Sequence, residues 1–297
     1  MTVCQCVSTG WIAASGGPVL AHSFRHFDSM AMPWLDPYLL ALVDTWYRAI
    51  PRACPSPEQL AAVRIISHRG ERSARVPENT FAAFDALPGK VWGLECDVRF
   101  SRDGVPMVFH DPDLARIYGC DQRLCDLDAA ELRQRFPFTP TLAELAQRYA
   151  GRIHLMLEFK AEARPQSERR LQAVREALAA LRPGQDYHLM SLDCTSLDWL
   201  GQGFPSSSLV AIARSNVEQM SRYALHRNCA GLAGHFALLR ARHAQPHIAR
   251  GQWVGLGFPA SRNALRFAVQ QGASHIFTNQ ALTLQSLLAQ ENNASKA

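Results

Sequence analysis

The chain has 297 residues, a formal net charge of +5, 47% hydrophobic residues and 19% charged ones. That balance excludes a disordered chain and is ample for one large α/β domain or two ordinary ones. The arginines are dispersed, which argues against a nucleic-acid footprint, and no run approaches the ~18 apolar residues of a membrane span.

Residues 1–33 read as irregular. The apolar patch "GWIAASGGPVLA" has no Lys or Arg before Arg25, so no secretory signal is expected. The eight cysteines lack paired zinc spacing, and Cys96 and Cys229 sit inside apolar strand patterns. A reducing, cytoplasmic setting is expected, with Cys120 and Cys125 the one spacing open to pairing. "DPYLLALVDTWYRAIP" then reads as an amphipathic helix: Asp36 caps it, Pro51 ends it, and Leu39, Leu42, Val43, Trp46 and Ile50 share a face. Two roles stay open for it, packing on the main domain or peripheral contact with a membrane surface or partner. Residues 1–60 are expected to form an N-terminal extension and 61–290 the main domain.

From Val63 strand and helix alternate. The expected strands are "VRIIS", "VWGLECDV", "IHLMLEF", "YHLMS", "SLVAIA", "CAGLAG", "QWVGLG" and "HIFTN". Helices are expected at "NTFAAFDAL" with Asn79 as cap, at "TLAELAQRY" with a Thr141–Glu144 capping box, and at "SERRLQAVREALAALRPG". Further helices are expected near Thr195–Leu200, after Ser215 with Glu218, around Phe236–Arg242, and from Ser261 to Gln271. One apolar run does not belong to the alternation. "PMVFH" follows "DVRF" after only Ser101–Gly104, and so short a turn joins antiparallel strands alone. Set aside as a hairpin arm, it leaves eight β-then-α units, the count of a TIM (β/α)8 barrel, with a short insertion at about 101–140.

The C-terminal ends of the strands of such a barrel meet at one face, where active sites form. His68 follows the first strand, Glu95 and Asp97 end the second, and Glu158 and Lys160 end the third; His110 ends the hairpin arm. Glu95 and Asp97 are two apart and point the same way, while Cys96 points toward the helices. Three carboxylates in one mouth repel one another, and a hard divalent cation, Mg²⁺ or Ca²⁺, relieves this. The bland reading pairs the acids with Arg64, Arg69, Arg99 and Lys160 as structural bridges. Two imidazoles beside them suit acid and base roles. Arg69, followed by Gly70, and Lys160 supply positive charge for phosphate oxygens. Together these describe a phosphoryl-transfer site with His68 and His110 catalytic. Asn79 reads as a helix cap, Glu78 as a holder of Arg69 or His68, and His235 as a further group at the same face.

"HRG…PENT…AF" and "LECDVRFSRDGVPMVFHDPDLAR", followed in order by "FTPTLAEL" and "LMLEFK", resemble the glycerophosphodiester phosphodiesterase family. The resemblance implies a TIM barrel and a divalent metal on Glu95, Asp97 and Glu158. It also implies His68 and His110 as the acid–base pair and Arg69 on the phosphate. It implies small-molecule glycerophosphodiester substrates, cleaved to glycerol 3-phosphate and an alcohol through a cyclic phosphate. The C-terminal part departs from the family pattern. Trp253 is displaced and Asn279 stands where the family has Asp, which leaves headgroup preference open. Two other readings remain: a phospholipase D-like hydrolase of lysophospholipids, and a catalytically silent barrel that binds phosphorylated ligands.

Overall fold

The computed structural model describes residues 45–161 and 167–294. Its centre is a closed parallel barrel. The strands are β1 (Arg64–His68), β2 (Gly93–Phe100), β6 (His154–Phe159), β7 (Tyr187–Ser191), β8 (Leu209–Ala213), β9 (Gly231–His235), β10 (Trp253–Gly257) and β11 (His275–Thr278). Each pairs in parallel with the next, and β1 pairs with both β2 and β11, so the sheet closes on itself. Antiparallel β3 (Pro106–Val108) leans on the far end of β2, with Val98 opposite Val108 and Phe100 opposite Pro106. This is the hairpin arm that the short Ser101–Gly104 turn requires.

After the arm, β4 (Asp113–Leu114), β5 (Cys120–Arg123) and the helix Ala129–Arg135 fold over their own small core, in which Met107, Phe109, Leu114, Leu132 and Phe136 are buried. Alternation along the barrel strands separates two further layers of packing. On β2 and β6, Leu94, Cys96, Val98, Leu155, Leu157 and Phe159 face outward into the belt shared with the helices. Inside, Ile66, Met156, Met190, Val210, Ala233 and Phe277 plug the middle of the barrel. Full burial of each such side chain stabilises the fold by about 1.5–3 kcal/mol. The inner face of β6 therefore reads His154, Met156, Glu158 from floor to mouth.

The floor is unusual in chemistry. Five rings close a circle around the axis. Trp92 stacks on His154 at 4.1 Å, His154 meets His188 at 5.0 Å, and His188 meets Trp253 edge-on at 5.6 Å. Trp253 stacks on His275 at 4.2 Å, and His275 meets Trp92 at 5.1 Å. Gly231 makes room: a Cβ there would lie 2.6 Å from Cδ2 of the Trp253 indole.

Several expectations need correction. Asn79 is not the helix cap. Thr80 caps Phe81–Phe84 by accepting from the Ala83 amide, and Asn79 turns its side chain into the barrel. Ser215 does not open its helix, which runs Val217–His226 from Asn216 with no side-chain cap. The helix expected around Phe236–Arg242 starts later, at Ala241, and continues through Pro246 to Ile248, because 236–240 is a turn. Most of the Asp36–Ile50 segment lies outside the described residues. Its described end is helical at 45–49, and Trp46 there is 68% exposed rather than packed on the barrel. The residue that packs is Tyr47, seated against Phe236 and Phe267, its hydroxyl accepting from Arg240 Nη1 at 3.1 Å. The six described cysteines are free thiols, Cys120 and Cys125 included.

Candidate active site

Strand register assembles the site. His68 is the Cα partner of Glu95 across β1–β2, and Asp97 is the partner of Glu158 across β2–β6. Inward parity then points all three carboxylates to the axis, where their oxygens lie within 4.8 Å of one another. All three are buried. Among the described residues, no other group of three His, Cys, Asp or Glu side chains converges this closely.

The electrostatics are those of an anionic cage with incomplete compensation. Lys160 Nζ lies 2.6 Å from Asp97 Oδ1 and also bonds Glu158 Oε1. Arg69 Nε lies 3.2 Å from Asp97 Oδ2. Burial would raise the Asp97 carboxyl, but Lys160 and Arg69 outweigh it and hold it well below the usual range. Glu95 goes the other way: burial, then repulsion from Asp97 and Glu158, push its carboxyl well up. Glu95 Oε1 is buried and has no hydrogen-bond partner. Three acids against one lysine and one arginine leave one excess negative charge. A hard divalent cation fits that residue set: it needs oxygen donors, it would satisfy the orphaned Glu95 oxygen, and it would turn the surplus into a net positive charge. The bland reading is thus partly right, since Lys160 bridges two of the acids and Arg69 one. Arg64 bonds the carbonyls of Ala61 and Val63 instead, and Arg99 Nε that of His110.

The loop after β1 brings Arg69 to this cage by a left-handed turn. Arg69 has φ 62° and Gly70 φ 85°, and a Cβ on Gly70 would stand 2.7 Å from that of Ala83. The Arg69 amide donates to the Glu95 carbonyl at 2.9 Å, and the Asn79 amide to the Arg69 carbonyl at 3.1 Å. Asn79, also left-handed at φ 57°, donates through Nδ2 to Asp97 Oδ2 at 2.8 Å and accepts from the Asp97 amide. Asn tolerates this conformation better than most residues. Glu78 accepts from Arg69 Nη1 at 3.0 Å, so it holds Arg69 rather than His68.

Each histidine has its Nδ1 tied down. His68 Nδ1 donates to Asn279 Oδ1 at 2.8 Å; its Nε2 is 3.7 Å from Glu95 Oε2 and its ring lies against Phe258. Burial and the neighbouring Arg69 push the His68 imidazole down to about 3, so it is neutral near pH 7. His110 Nδ1 donates to Asp111 Oδ1 at 2.6 Å. An Nδ1–H in each ring leaves Nε2 as the nitrogen that can face a substrate, an acceptor in the neutral ring and a donor in the imidazolium. His235 reaches the same mouth at the end of β9, where its Nδ1 accepts from the Ala237 amide and its Nε2 is buried without a partner. Asp111, Arg116 and Phe258 carry no assigned part in the sequence reading, and Asn279 enters it only as a departure from the family pattern, not as the partner of His68. Asp111 and Arg116 both stand inside the "HDPDLAR" stretch.

A cavity of about 480 Å³ opens at the opposite end, beneath the ring of Trp92, His154, His188, Trp253 and His275. It is remote from the carboxylates, and Trp253, at the start of β10, belongs to that floor. The chemistry at the mouth decides the site, not the size of the hollow.

The sequence profile of the glycerophosphoryl diester phosphodiesterase family matches residues 68–227, more than half the chain. The chain belongs to this family. Among curated members it is similar to glycerophosphodiester phosphodiesterase 1 of Rattus norvegicus, 41% identical over 76 residues, which is 25% of this chain and 23% of that protein. The Homo sapiens counterpart is 38% identical over the same length. The chain thus matches about a quarter of the length of these relatives. Two solved structures extend the likeness to more than three quarters of the chain. A phosphodiesterase of Oleispira antarctica, solved with the product sn-glycerol-3-phosphate, is 25% identical with a TM-score of 0.65, covering 79% of this chain and 100% of that one. A glycerophosphodiester phosphodiesterase of Thermotoga maritima is 21% identical with a TM-score of 0.63, covering 76% and 98%.

Proposed function

We propose that the chain hydrolyses glycerophosphodiesters to glycerol 3-phosphate and an alcohol, with a divalent cation held by Glu95, Asp97 and Glu158. The observation that carries this reading is the buried carboxylate triad beneath two imidazoles whose Nδ1 atoms are already committed. Family membership supports it, as does the product bound by the Oleispira relative. When bound, the cation, Mg²⁺ or Ca²⁺, supplies charge that stabilises the non-bridging oxygens of the phosphodiester. Arg69, clamped by Glu78 and Asp97, places its guanidinium on the same oxygens. Lys160 adds a second positive charge. One imidazole, neutral, takes the proton of the glycerol 2-hydroxyl on Nε2 as the hydroxyl oxygen bonds phosphorus, and the other, entering the cycle as the imidazolium, gives its Nε2 proton to the leaving alcohol oxygen. Water then opens the cyclic phosphate with the two roles exchanged, leaving glycerol 3-phosphate and both rings as they began.

A panel of glycerophosphodiesters, assayed by coupled detection of glycerol 3-phosphate, tests this reading. Turnover is expected with added Mg²⁺ or Ca²⁺ and none in EDTA. Cleavage of micellar lysophospholipid alone would move the function to the lipase reading. Ligand binding without turnover would move it to the silent barrel.

A further inference from the structure

Resting on that hydrolase reading, we propose that Arg116, anchored on Glu78, is a positioning residue that fixes His110 through Asp111. The side chains form one chain of short ionic hydrogen bonds across the mouth. His110 Nδ1 meets Asp111 Oδ1 at 2.6 Å, and Arg116 Nε donates to Asp111 Oδ2 at 2.6 Å. Arg116 Nη2 donates to Glu78 Oε1, also at 2.6 Å, and Arg69 Nη1 shares that oxygen at 3.0 Å. Arg116 comes from the helix Ala115–Tyr118 in the insertion, and Glu78 from the loop after β1. A guanidinium is flat and rigid, so bonding one carboxylate through Nε and the other through Nη2 fixes the separation of the two acids. The insertion is thereby registered against the phosphate-binding loop.

The direction of action follows from what each acid keeps when Arg116 is removed. Glu78 still has Arg69 and Arg72, whose Nη1 donates to Oε2 at 2.6 Å. Its buried charge stays compensated and the loop holds. Asp111 retains only His110 among the partners named here, and its partly exposed carboxylate is free to turn to water. Asp111 is held ionised, down to about 2: burial opposes this, but the bonds from His110 and Arg116 prevail. An ionised carboxylate only accepts, so His110 must carry its proton on Nδ1 and offer Nε2 to the site. Arg99 Nε fixes the same residue's carbonyl at 2.7 Å, which leaves the ring torsion as the freedom that Asp111 removes. Arg116 is about half exposed, and an ion pair of that kind contributes little to stability alone. Its value lies in orientation.

The test uses Arg116→Met, Asp111→Asn and the double variant, with glycerophosphocholine at saturating Mg²⁺ or Ca²⁺, and histidine ¹⁵N spectra recorded without substrate. Arg116→Met is expected to lower kcat by about 10- to 100-fold, with KM within about threefold and unfolding temperature unchanged. The double variant is expected to be no slower than Asp111→Asn, because both act through one imidazole. The His110 spectrum is expected to change from a single Nδ1–H tautomer to a mixture in Arg116→Met. Wild-type turnover in Arg116→Met, multiplying losses in the double variant, or an unchanged His110 tautomer would each overturn the proposal. A wild-type protein inactive on every glycerophosphodiester refutes the hydrolase reading, and the spectra then decide the positioning claim by themselves.

Discussion

Replacing Glu95 by Gln should stabilise the cation-free protein while destroying its response to cations. Glu95 is buried with two like-charged neighbours whose oxygens lie within 4.8 Å. At an effective dielectric near 20, each such pair costs about 3 kcal/mol at that distance. Lys160 and Arg69 offset part of this but leave one charge uncompensated. An isosteric amide relieves the uncompensated part of this repulsion, and each kcal/mol so relieved raises Tm by roughly 2 °C or more in a chain of this size. The pH dependence has a definite sign. The folded carboxyl lies above its unfolded value near 4.5, so its contribution to stability is full below pH 4.5 and is lost as pH rises through the folded value. Thermal unfolding in EDTA should show Glu95→Gln above wild type at pH 8, with the gap closing toward pH 5. Millimolar Mg²⁺ or Ca²⁺ should raise the wild-type Tm and leave the variant nearly unmoved. If Glu95→Gln melts lower than wild type in EDTA at pH 8, or gains as much from the cation, the triad is a structural network and the cage argument fails.

Three further outcomes are expected. His68→Ala and His110→Ala should each lower turnover at least ~10²-fold with the fold retained by circular dichroism; a rate near wild type removes that imidazole from the chemistry. Asn279→Leu deprives His68 Nδ1 of its acceptor and should reduce kcat by up to ~10² with cation affinity unchanged by calorimetry. The floor histidines set an acid limit on stability. Burial pushes His154 down to about 4 and His188 and His275 to about 3. Their contribution is therefore present above the unfolded value near 6.5 and is lost as pH falls toward 3–4, each costing about 2 kcal/mol at pH 5. His275→Phe, which keeps the stack on Trp253, should lose about 2 kcal/mol less than wild type between pH 8 and pH 5 by urea denaturation. Equal losses would show that His275 is already protonated in the folded state.

What was legible in the sequence had a period or a length constraint behind it. Four residues between Phe100 and Val105 admit only a hairpin, and that single exclusion leaves eight staves. Glu95 and Asp97 sit two apart on a strand, so their shared face needs no structure to state. Register and position around the circle have no such trace. Asn79 stands one residue ahead of a helix and has a capping side chain, so local rules send it to the helix. Only the approach of β2 puts Asp97 within reach, and a bond to a buried carboxylate then competes with a cap that Thr80 supplies equally well. The same blindness hides the floor. His154, His188 and His275 are 34 and 87 residues apart in sequence and read as scattered, each at the polar start of a strand. Barrel closure makes those starts neighbours. Period-two alternation reveals which face a residue takes; it does not reveal which residues meet across that face. The carboxylate triad escapes this limit because its three charges demand a common partner wherever they converge. Neutral imidazoles and indoles make no such demand, and their convergence is visible only once the sheet has closed.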